Sequence, residues 1–329
     1  MSELPVFVPA ASVILHDHAV PNKVYLARRS PKLKFLGGFH AFPGGKVDPE
    51  DRELAFNQEP WNLARVAAIR ELFEEAGVLL ALDENGNCLN DVTLLASLRE
   101  QIRLKKITFG EMIARNGWQL MTDKLVAMGL FSTPPFSPQR FQTRFFHASC
   151  PKEQQPQLNS LELDQGTWGN VTQHLERWHR DEILLSPPVL AILEMMKSWE
   201  VTSISEIPQR FDEIPLERVR FRSWAEVVSV HCPGPAMEQI GNVILVGGTR
   251  FFLVDPGPSR PEGFEEIRKA IQRKQKFGHE FTGILLTHHH PDHVSEAGRF
   301  SEKFKVPIFA HPKTALKLAG KCEVHHSLL

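Results

Sequence analysis

The segment from Pro60 to Gly77 restricts the fold of this chain more than any other segment does. Its apolar residues recur at the spacing of one helix face, at Val66, Ile69 and Phe73. A proline suits the first turn of a helix, and a glycine suits the position just after its last turn. The segment therefore predicts a helix with one apolar face that begins at Pro60 and ends at Gly77.

Three carboxylates share the other side of this predicted helix. At the angular spacing of a helix, Glu71, Glu74 and Glu75 fall within about 100° of one another. Clustered oxygen ligands of this kind hold hard divalent cations such as Mg²⁺, usually together with substrate phosphates. The alternative is an exposed helix face with an Arg70–Glu74 ion pair, which contributes only about a few tenths of a kcal/mol.

A glycine-rich loop, Phe42-Pro43-Gly44-Gly45-Lys46-Val47, precedes this helix. Glycines let the backbone approach another backbone, or a phosphate, without a Cβ atom in the way. The loop and the run from Arg70 to Val78 together resemble the Nudix box, G-x5-E-x7-R-E-U-x-E-E-x-G-U, in which U is a bulky apolar residue. Gly45 matches the first glycine of the box, and the run supplies its second half. The resemblance implies an α+β sandwich that hydrolyses a nucleoside diphosphate linked to another group.

The sequence departs from the box at the first glutamate. Asp51 stands at that position, and a longer loop than the box has separates it from Arg70. Asp51, Glu53 and Glu59 are therefore all candidates for the role of this glutamate. The longer loop, with further motifs up to Pro187-Pro188, resembles the Nudix branch that includes peroxisomal coenzyme A diphosphatases and their bacterial relatives. This resemblance implies coenzyme A or acyl-coenzyme A as the substrate.

The Nudix resemblance also implies roles for the matched residues. Glu71, Glu74 and Glu75 are the implied catalytic residues and the implied ligands of Mg²⁺ or Mn²⁺, which would neutralise the diphosphate and activate a water. Arg70 and Gly77 are implied to support the Nudix loop. The candidates for contact with substrate phosphates are Gly44, Gly45, Lys46, Arg29 and Arg140. The general base stays unassigned, since it varies within the family.

The histidines are concentrated in the last part of the chain. Of the 15 histidines, eight lie between His279 and His326. Among them, Thr287-His288-His289-His290-Pro291-Asp292-His293 follows an apolar strand candidate, so alternate side chains can point the same way. Imidazoles with a carboxylate suit Zn²⁺ or iron. The run resembles the H-x-H-x-D-H signature of the metallo-β-lactamase fold, which implies zinc ligands at His288, His290, Asp292 and His293.

A second motif also resembles that fold, but the region is shorter than a complete domain of the family. Phe252-Leu253-Val254-Asp255-Pro256-Gly257 resembles the hairpin and Asp-x-Gly turn with which the fold opens. The family takes further metal ligands from the second half of its domain, whereas the region from Val227 onward has roughly half the length of a complete domain. His325 and His326 lie in the tail, but they lack the surroundings that the family gives its third ligand. We therefore expect a partial αββα region with an incomplete metal site.

The sequence pattern divides the chain into three parts. Residues 1–203 are predicted to form the Nudix domain, with a helical insert over about residues 97–130. Residues 204–226 are polar and contain proline without clear periodicity, which predicts a linker. Residues 227–329 carry short apolar runs and then strand–helix alternation. The predicted class is α/β, an α+β Nudix sandwich followed by a partial metallo-β-lactamase-like region.

Composition narrows the range of functions. The formal net charge of −1 argues against a general binder of nucleic acid or of membrane surfaces. The four cysteines form no C-x-x-C pair, which predicts a reducing, cytoplasmic location. We therefore expect a small nucleoside diphosphate-type substrate, and a homodimer is one expected assembly. Two other interpretations stay open: a zinc hydrolase of a thioester or phosphoester, and a C-terminal region that serves only as an interaction or structural appendage.

Overall fold

The computed structural model describes residues 7–133, 140–158, 162–198, 209–213, 218–222, 224–232, 239–258, 260–320 and 322–327. The chain divides into two compact units, Met1–His174 with Pro188–Pro215 and Leu175–Pro187 with Leu216–Leu329. The short segment Leu175–Pro187, which lies within the predicted Nudix domain, therefore groups with the C-terminal unit. Among the described residues, no helix is long and apolar enough to cross a membrane.

The first part of the chain forms a mixed sheet with helices against it. In chain order, its elements are β1 (Val8–His16), β2 (Lys23–Arg29), β3 (Phe39–Ala41), β4 (Gly44–Lys46), α1 (Asp51–Leu54), α2 (Pro60–Ala76), β5 (Ala81–Leu82), α3 (Val92–Arg103), α4 (Phe109–Asn116), β6 (Gln119–Leu120), a 3₁₀ turn (Thr122–Lys124), β7 (Val126–Ser132), β8 (Phe141–Ser149), β9 (Leu163–Asn170), α5 (Val171–His179), β10 (Leu184–Leu185), α6 (Pro187–Lys197) and β11 (Arg210–Glu213). Strand β1 lies between β2, to which it is antiparallel, and β8, to which it is parallel. β7 continues the sheet beyond β8, and β4 pairs with β1.

Helix α2 is the element that positions the acidic cluster. It begins at Pro60 and ends at Ala76, and Gly77 follows it in the left-handed conformation with φ of 71°, which confirms the predicted bounds. The predicted apolar face is fully buried, at Val66, Ile69 and Phe73. The helix contacts β1 and β4, so its acidic end is held beside the glycine-rich strand.

The second unit is built on a sheet whose strands follow one another in chain order. Its further elements are β12 (Arg218–Arg222), β13 (Ala225–Cys232), β14 (Gln239–Gly247), β15 (Arg250–Val254), α7 (Pro261–Lys276), β16 (Glu280–Leu286), α8 (Pro291–Val294), α9 (Ala297–Phe304), β17 (Ile308–Ala310), α10 (Pro312–Leu318) and β18 (His326–Ser327). Neighbouring strands from β12 to β15 are antiparallel, and those from β15 to β18 are parallel. The turn at Gly247-Gly248 joins β14 and β15 into an antiparallel hairpin. Helices α7 and α9 contribute Phe264 and Phe300 to the core on one face of this sheet.

The structure places strands in two segments where none was predicted. The boundary between the two compact units, after Pro215, falls within the second of these segments. The insert predicted as helical over residues 97–130 contains α3 and α4, but it ends in strand β7, which pairs with β8. The predicted linker, residues 204–226, contains β11, β12 and the start of β13. β7 and β11 are defined by pairing with strands elsewhere in the chain, so local periodicity does not reveal them. Residues 204–208, 214–217 and 223 of this region lie outside the described residues.

Candidate functional site

The glycine-rich strand β4 lies directly against the acidic end of α2. It pairs with β1 through Gly44 opposite Ser12 and Gly45 opposite Ala11. A Cβ atom on Gly44 would lie 2.2 Å from the carbonyl oxygen of Ala11, and one on Gly45 would lie 2.4 Å from Oε1 of Glu71. Gly44 therefore requires glycine, because the backbone of β1 occupies the space that a side chain would need. A side chain at Gly45 would instead displace the Glu71 carboxylate.

Glu75 lies deepest among the three glutamates. The residue is 7% exposed, and its Oε2 accepts a hydrogen bond of 2.8 Å from the backbone N–H of Gly44. Burial raises the pKa of Glu75 to about 8, and the charge of Glu71 adds to this effect. Arg29 lowers the pKa of Glu75 and Glu162 raises it. Both side chains therefore lie close enough to the acidic end of α2 to act on it electrostatically.

Glu71 and Glu74 are only partly buried. Burial raises the pKa of Glu71 to about 7, against the attraction of the Arg70 guanidinium. Burial likewise raises the pKa of Glu74. All three carboxyl groups thus hold protons more tightly than exposed glutamates do, as expected for carboxylates that crowd together away from water.

The donor set of this cluster fits a hard divalent cation. It consists of carboxylate oxygens, which are ligands that Mg²⁺ and Mn²⁺ prefer. The three side chains do not bring three oxygens within 4.8 Å of one another. Mg²⁺ does not require such convergence, because proteins usually hold it with one or two carboxylates plus waters and substrate phosphates. Burial, and secondly the neighbouring glutamate charge, raise the pKa values of Glu71 and Glu75, and a bound cation would offset both effects.

Arg70 connects α2 to the loop that precedes it. Its Nε donates a hydrogen bond of 2.8 Å to Asp51, and its Nη2 donates one of 2.8 Å to the carbonyl oxygen of Lys46. Nη1 donates to Oε1 of Glu71 at 3.0 Å and lies 3.5 Å from the Glu74 carboxylate. The buried guanidinium therefore braces the loop, β4 and two of the three glutamates in one network.

Asp51 is the candidate that the structure singles out at the departure from the Nudix box. Its side chain is 1% exposed and makes two hydrogen bonds with Arg70. It also accepts a hydrogen bond of 2.7 Å from the backbone N–H of Asp48. Glu53 and Glu59 are exposed. Sequence alone leaves the three equivalent, because the choice depends on the path of the inserted loop.

The side chains of Lys46 and Arg140 do not lie against the three glutamates, whereas Gly44 and Gly45 do. Lys46 is exposed at the end of β4, and its carbonyl group is engaged by Arg70. The guanidinium of Arg140 stacks over the ring of Phe7, 3.9 Å from its centroid. Within the described part of the chain, no contact links Arg140 to the glutamate cluster. Phosphate contact by these two side chains stays a prediction.

A second cluster lies where the parallel strands β15 and β16 end side by side. Asp255 follows β15, and Thr287 and His288 follow β16. Ligand atoms of Asp255, His288 and His293 lie within 4.8 Å of one another. Among the residues that the structure describes, this is the one group of three or more His, Cys, Asp or Glu side chains that converges in this way.

Asp255 was not among the predicted ligands, and its contacts indicate how it contributes. Its Oδ1 accepts a hydrogen bond of 2.8 Å from the backbone N–H of Thr287, and its Oδ2 lies 3.0 Å from Nδ1 of His293. With Nδ1 of His293 facing Asp255, the carboxylate would orient the imidazole and Nε2 would stay available to a metal, as with outer partners of metal-binding histidines. The Asp255-x-Gly257 turn was the available signal, because adjacent parallel strands end at the same sheet edge.

The other two predicted zinc ligands lie beside this cluster. The ring of His290 is centred 4.7 Å from that of His288, and the Asp292 carboxylate lies 3.4 Å from Nε2 of His293. Gly257 permits this arrangement, because a Cβ atom there would lie 2.0 Å from the carbonyl oxygen of Asp292. Imidazole nitrogens and carboxylate oxygens together fit Zn²⁺.

The two histidines of the tail belong to the sheet edge. Nδ1 of His325 accepts a hydrogen bond of 3.2 Å from the backbone N–H of Ile308. The ring of His326 stacks on that of Phe309, with 5.0 Å between centroids. Neither histidine is a member of the converging group. Their contacts fasten β18 to β17.

Comparison with known families finds two separate matches. The family model described as NUDT19 Nudix domain matches residues 52–196. The model described as Metallo-beta-lactamase superfamily matches residues 237–321. The first range contains the acidic cluster and Arg70, and the second contains the group formed by Asp255, His288 and His293.

Individual proteins agree with the first match. Putative nudix hydrolase 7 of Caenorhabditis elegans is 28% identical over 195 residues, which cover 58% of this chain and 62% of that protein. Acyl-coenzyme A diphosphatase NUDT19 of Homo sapiens is 24% identical over 323 residues and 82% of either chain. The crystal structure of a Nudix hydrolase from Alicyclobacillus acidocaldarius is 26% identical, with a TM-score of 0.51, covering 61% of this chain and 94% of that one. The chain thus spans less than two thirds of the length of the first relative.

Proposed function

Since the chain belongs to the Nudix hydrolases and also carries part of a metallo-β-lactamase domain, we propose that its Nudix site hydrolyses a diphosphate linkage in a nucleoside diphosphate derivative. The observation that carries this proposal is the placement of Glu71, Glu74 and Glu75 against Gly44 and Gly45. Coenzyme A and acyl-coenzyme A are the first candidates, because the human relative is named as an acyl-coenzyme A diphosphatase.

Each residue at the site has a proposed role in this reaction. Glu71, Glu74 and Glu75 would hold Mg²⁺ or Mn²⁺, which when bound neutralises the diphosphate and activates the attacking water. The N–H of Gly44 fixes one oxygen of Glu75, so the other oxygen keeps a defined direction. Arg29, which acts on Glu75 electrostatically, supplies positive charge for a phosphate group. Glu162 is a candidate base, because its carboxylate acts on the same end of the helix.

A substrate panel tests the proposed activity. We expect the full chain, supplied with Mg²⁺ or Mn²⁺, to split at least one diphosphate-containing compound into two phosphate-bearing fragments. The panel comprises coenzyme A, acyl-coenzyme A, ADP-ribose, NADH, nucleotide sugars and dinucleoside polyphosphates. The products are separated by chromatography, and reaction in ¹⁸O-labelled water shows which phosphorus is attacked. If no compound is cleaved with either metal, the proposed function is wrong.

A separate observation favours a second function for the C-terminal unit. We propose that it binds Zn²⁺ through His288 and His293, with Asp255 orienting His293. Hydrolysis of a thioester or phosphoester is the activity that such a site would support. The alternative is a region that serves only in interaction or structure, for which zinc would be absent or without effect on turnover.

Zinc affinity tests the proposed metal site. We expect His288→Ala and His293→Ala each to weaken Zn²⁺ binding by about 10- to 100-fold or more, since a ligand or its orientation is lost. Binding is measured by titration and by mass spectrometry of the intact protein. His231→Ala is the matched control, because His231 is exposed on β13 of the same sheet. Equal zinc affinity in all three variants would remove the proposed site, and weaker binding in His290→Ala would assign that residue as a ligand too.

A further inference from the structure

A buried arginine from outside the Nudix box holds the last turn of α2. Arg99 lies on α3 and is 8% exposed. Its Nε and Nη2 donate hydrogen bonds of 2.9 and 2.8 Å to the carbonyl oxygen of Glu74. Nη2 also donates to the carbonyl oxygen of Glu75 at 2.7 Å, and Nη1 donates to that of Gln157 at 2.6 Å. One guanidinium therefore joins α3, the acidic end of α2 and the segment before β9.

These hydrogen bonds complete the pairing of the carbonyl groups at the end of α2. The last four carbonyls of a helix have no partner within it. Backbone N–H groups satisfy the first and the fourth, from Gly77 to Phe73 at 2.8 Å and from Gln157 to Ala76 at 2.7 Å. The remaining two belong to Glu74 and Glu75, and Arg99 donates to both. Its charge also lies at the negative end of the helix, where a cation is favourable.

Gly77 leaves space for this guanidinium. A Cβ atom at this position would lie 3.0 Å from Nη1 of Arg99. The glycine also has a φ of 71°, which few other residues adopt readily. Two constraints therefore favour glycine at this position of the box. One is the left-handed turn that ends α2, and the other is the close approach of Arg99.

We propose that Arg99 is a positioning residue that sets how Glu74 and Glu75 present their carboxylates to a metal. It acts through the backbone, because it fixes the carbonyl groups of two of the three residues whose side chains form the acidic cluster. The inference rests on the proposed function of that cluster. A purely structural cap would make the same hydrogen bonds. If Arg99 were only such a cap, its substitution would lower the folded fraction and leave the metal affinity of the folded molecules unchanged.

The test compares Arg99→Lys and Arg99→Ala with Arg103→Ala in the full chain. Lysine keeps the charge but lacks the fork that reaches two carbonyl groups. Arg103 is the matched control, because it lies on the same helix with its side chain 53% exposed and paired with Glu100. The readouts are the thermal midpoint, Mn²⁺ affinity from electron paramagnetic resonance without substrate, and kcat and KM at saturating Mn²⁺.

We expect folded Arg99→Lys to bind Mn²⁺ about 10-fold or more weakly and to lose kcat by a similar factor, with KM within about twofold of wild type. Guanidinium ion should restore part of the Mn²⁺ affinity of Arg99→Ala, and Arg103→Ala should behave as wild type. If Arg99→Ala does not fold, Arg99→Lys carries the test.

Two outcomes overturn the role of Arg99. One is wild-type Mn²⁺ affinity in folded Arg99→Lys, and the other is a loss of kcat that follows only the folded fraction. Failure of the proposed function is distinguishable, because Mn²⁺ binding is measured without substrate. A wild-type protein that binds Mn²⁺ more tightly than Arg99→Lys but cleaves no diphosphate contradicts the activity alone. A wild-type protein that binds no Mn²⁺ contradicts both.

Discussion

Glu75→Gln is expected to lower the turnover of a diphosphate substrate on the order of 1,000-fold and to leave the fold intact. Glutamine has nearly the same shape, and its side-chain oxygen can still accept the hydrogen bond from the Gly44 N–H. The variant loses only the negative charge that would hold the cation. Turnover is measured at saturating Mg²⁺ or Mn²⁺ on the best compound of the substrate panel, and circular dichroism checks the fold.

Glu53→Gln is the matched control for this prediction. It makes the same chemical change at an exposed position of α1, where no metal ligand is proposed. We expect its turnover to remain within about twofold of wild type, as for an ordinary surface substitution. Full activity of Glu75→Gln would remove this glutamate from the reaction, and loss of activity in both variants would point to a change of the whole surface charge.

The stability of the metal-free Glu75→Gln protein separates a catalytic effect from unfolding. Burial raises the pKa of Glu75 to about 8 in the folded protein, well above that of an exposed glutamate. The folded state therefore binds this proton more tightly than the unfolded state does. The contribution of Glu75 to the free energy of unfolding therefore falls as the pH rises from about 4.5 to about 8. We expect metal-free Glu75→Gln to be at least as stable as wild type at pH 8, as measured by its thermal midpoint.

Sequence reasoning works well for α2 because the information there is local. Pro60 and Gly77 mark its ends, and the spacing of Val66, Ile69 and Phe73 defines its buried face. The same spacing places the glutamates on the other side of the helix. The close approach of Gly44 to the backbone of β1 agrees with the reason for which glycine was expected in the loop.

The rest of the site depends on contacts between distant segments. Asp51 is chosen over two nearby glutamates by the fold of the inserted loop, which brings it to Arg70. Asp255 enters the second cluster only because β15 pairs with β16. Arg99 belongs to none of the motifs recognised in the sequence, and its proposed role depends on the packing of α3 against the end of α2. Periodicity and spacing describe one segment at a time, so they cannot supply these pairings.

Asp51→Asn is expected to destabilise the unit that contains α2 by about 3 kcal/mol or more, because it leaves a buried guanidinium without its main counter-charge. Asparagine keeps the size of the side chain and one acceptor oxygen. It cannot reproduce the two hydrogen bonds of 2.8 and 3.1 Å that the carboxylate accepts from Arg70. Glu71 and Glu74 retain part of the charge around Arg70, which keeps the cost near the lower end for a broken buried pair. Denaturant unfolding measures the change.

Glu53→Gln and Glu59→Gln complete this experiment, because the three acidic residues are equivalent candidates in the sequence. Both glutamates are exposed, and we expect each substitution to change the free energy of unfolding by less than about 0.5 kcal/mol. The chain has two compact units, so the transition that shifts in Asp51→Asn must be followed separately from the other. Equal effects in the three variants would show that Arg70 does not depend on Asp51. A selective effect of Asp51→Asn would show that the aspartate, despite its shorter side chain and its distance in sequence, takes the place of the first glutamate of the box in holding the loop to the helix.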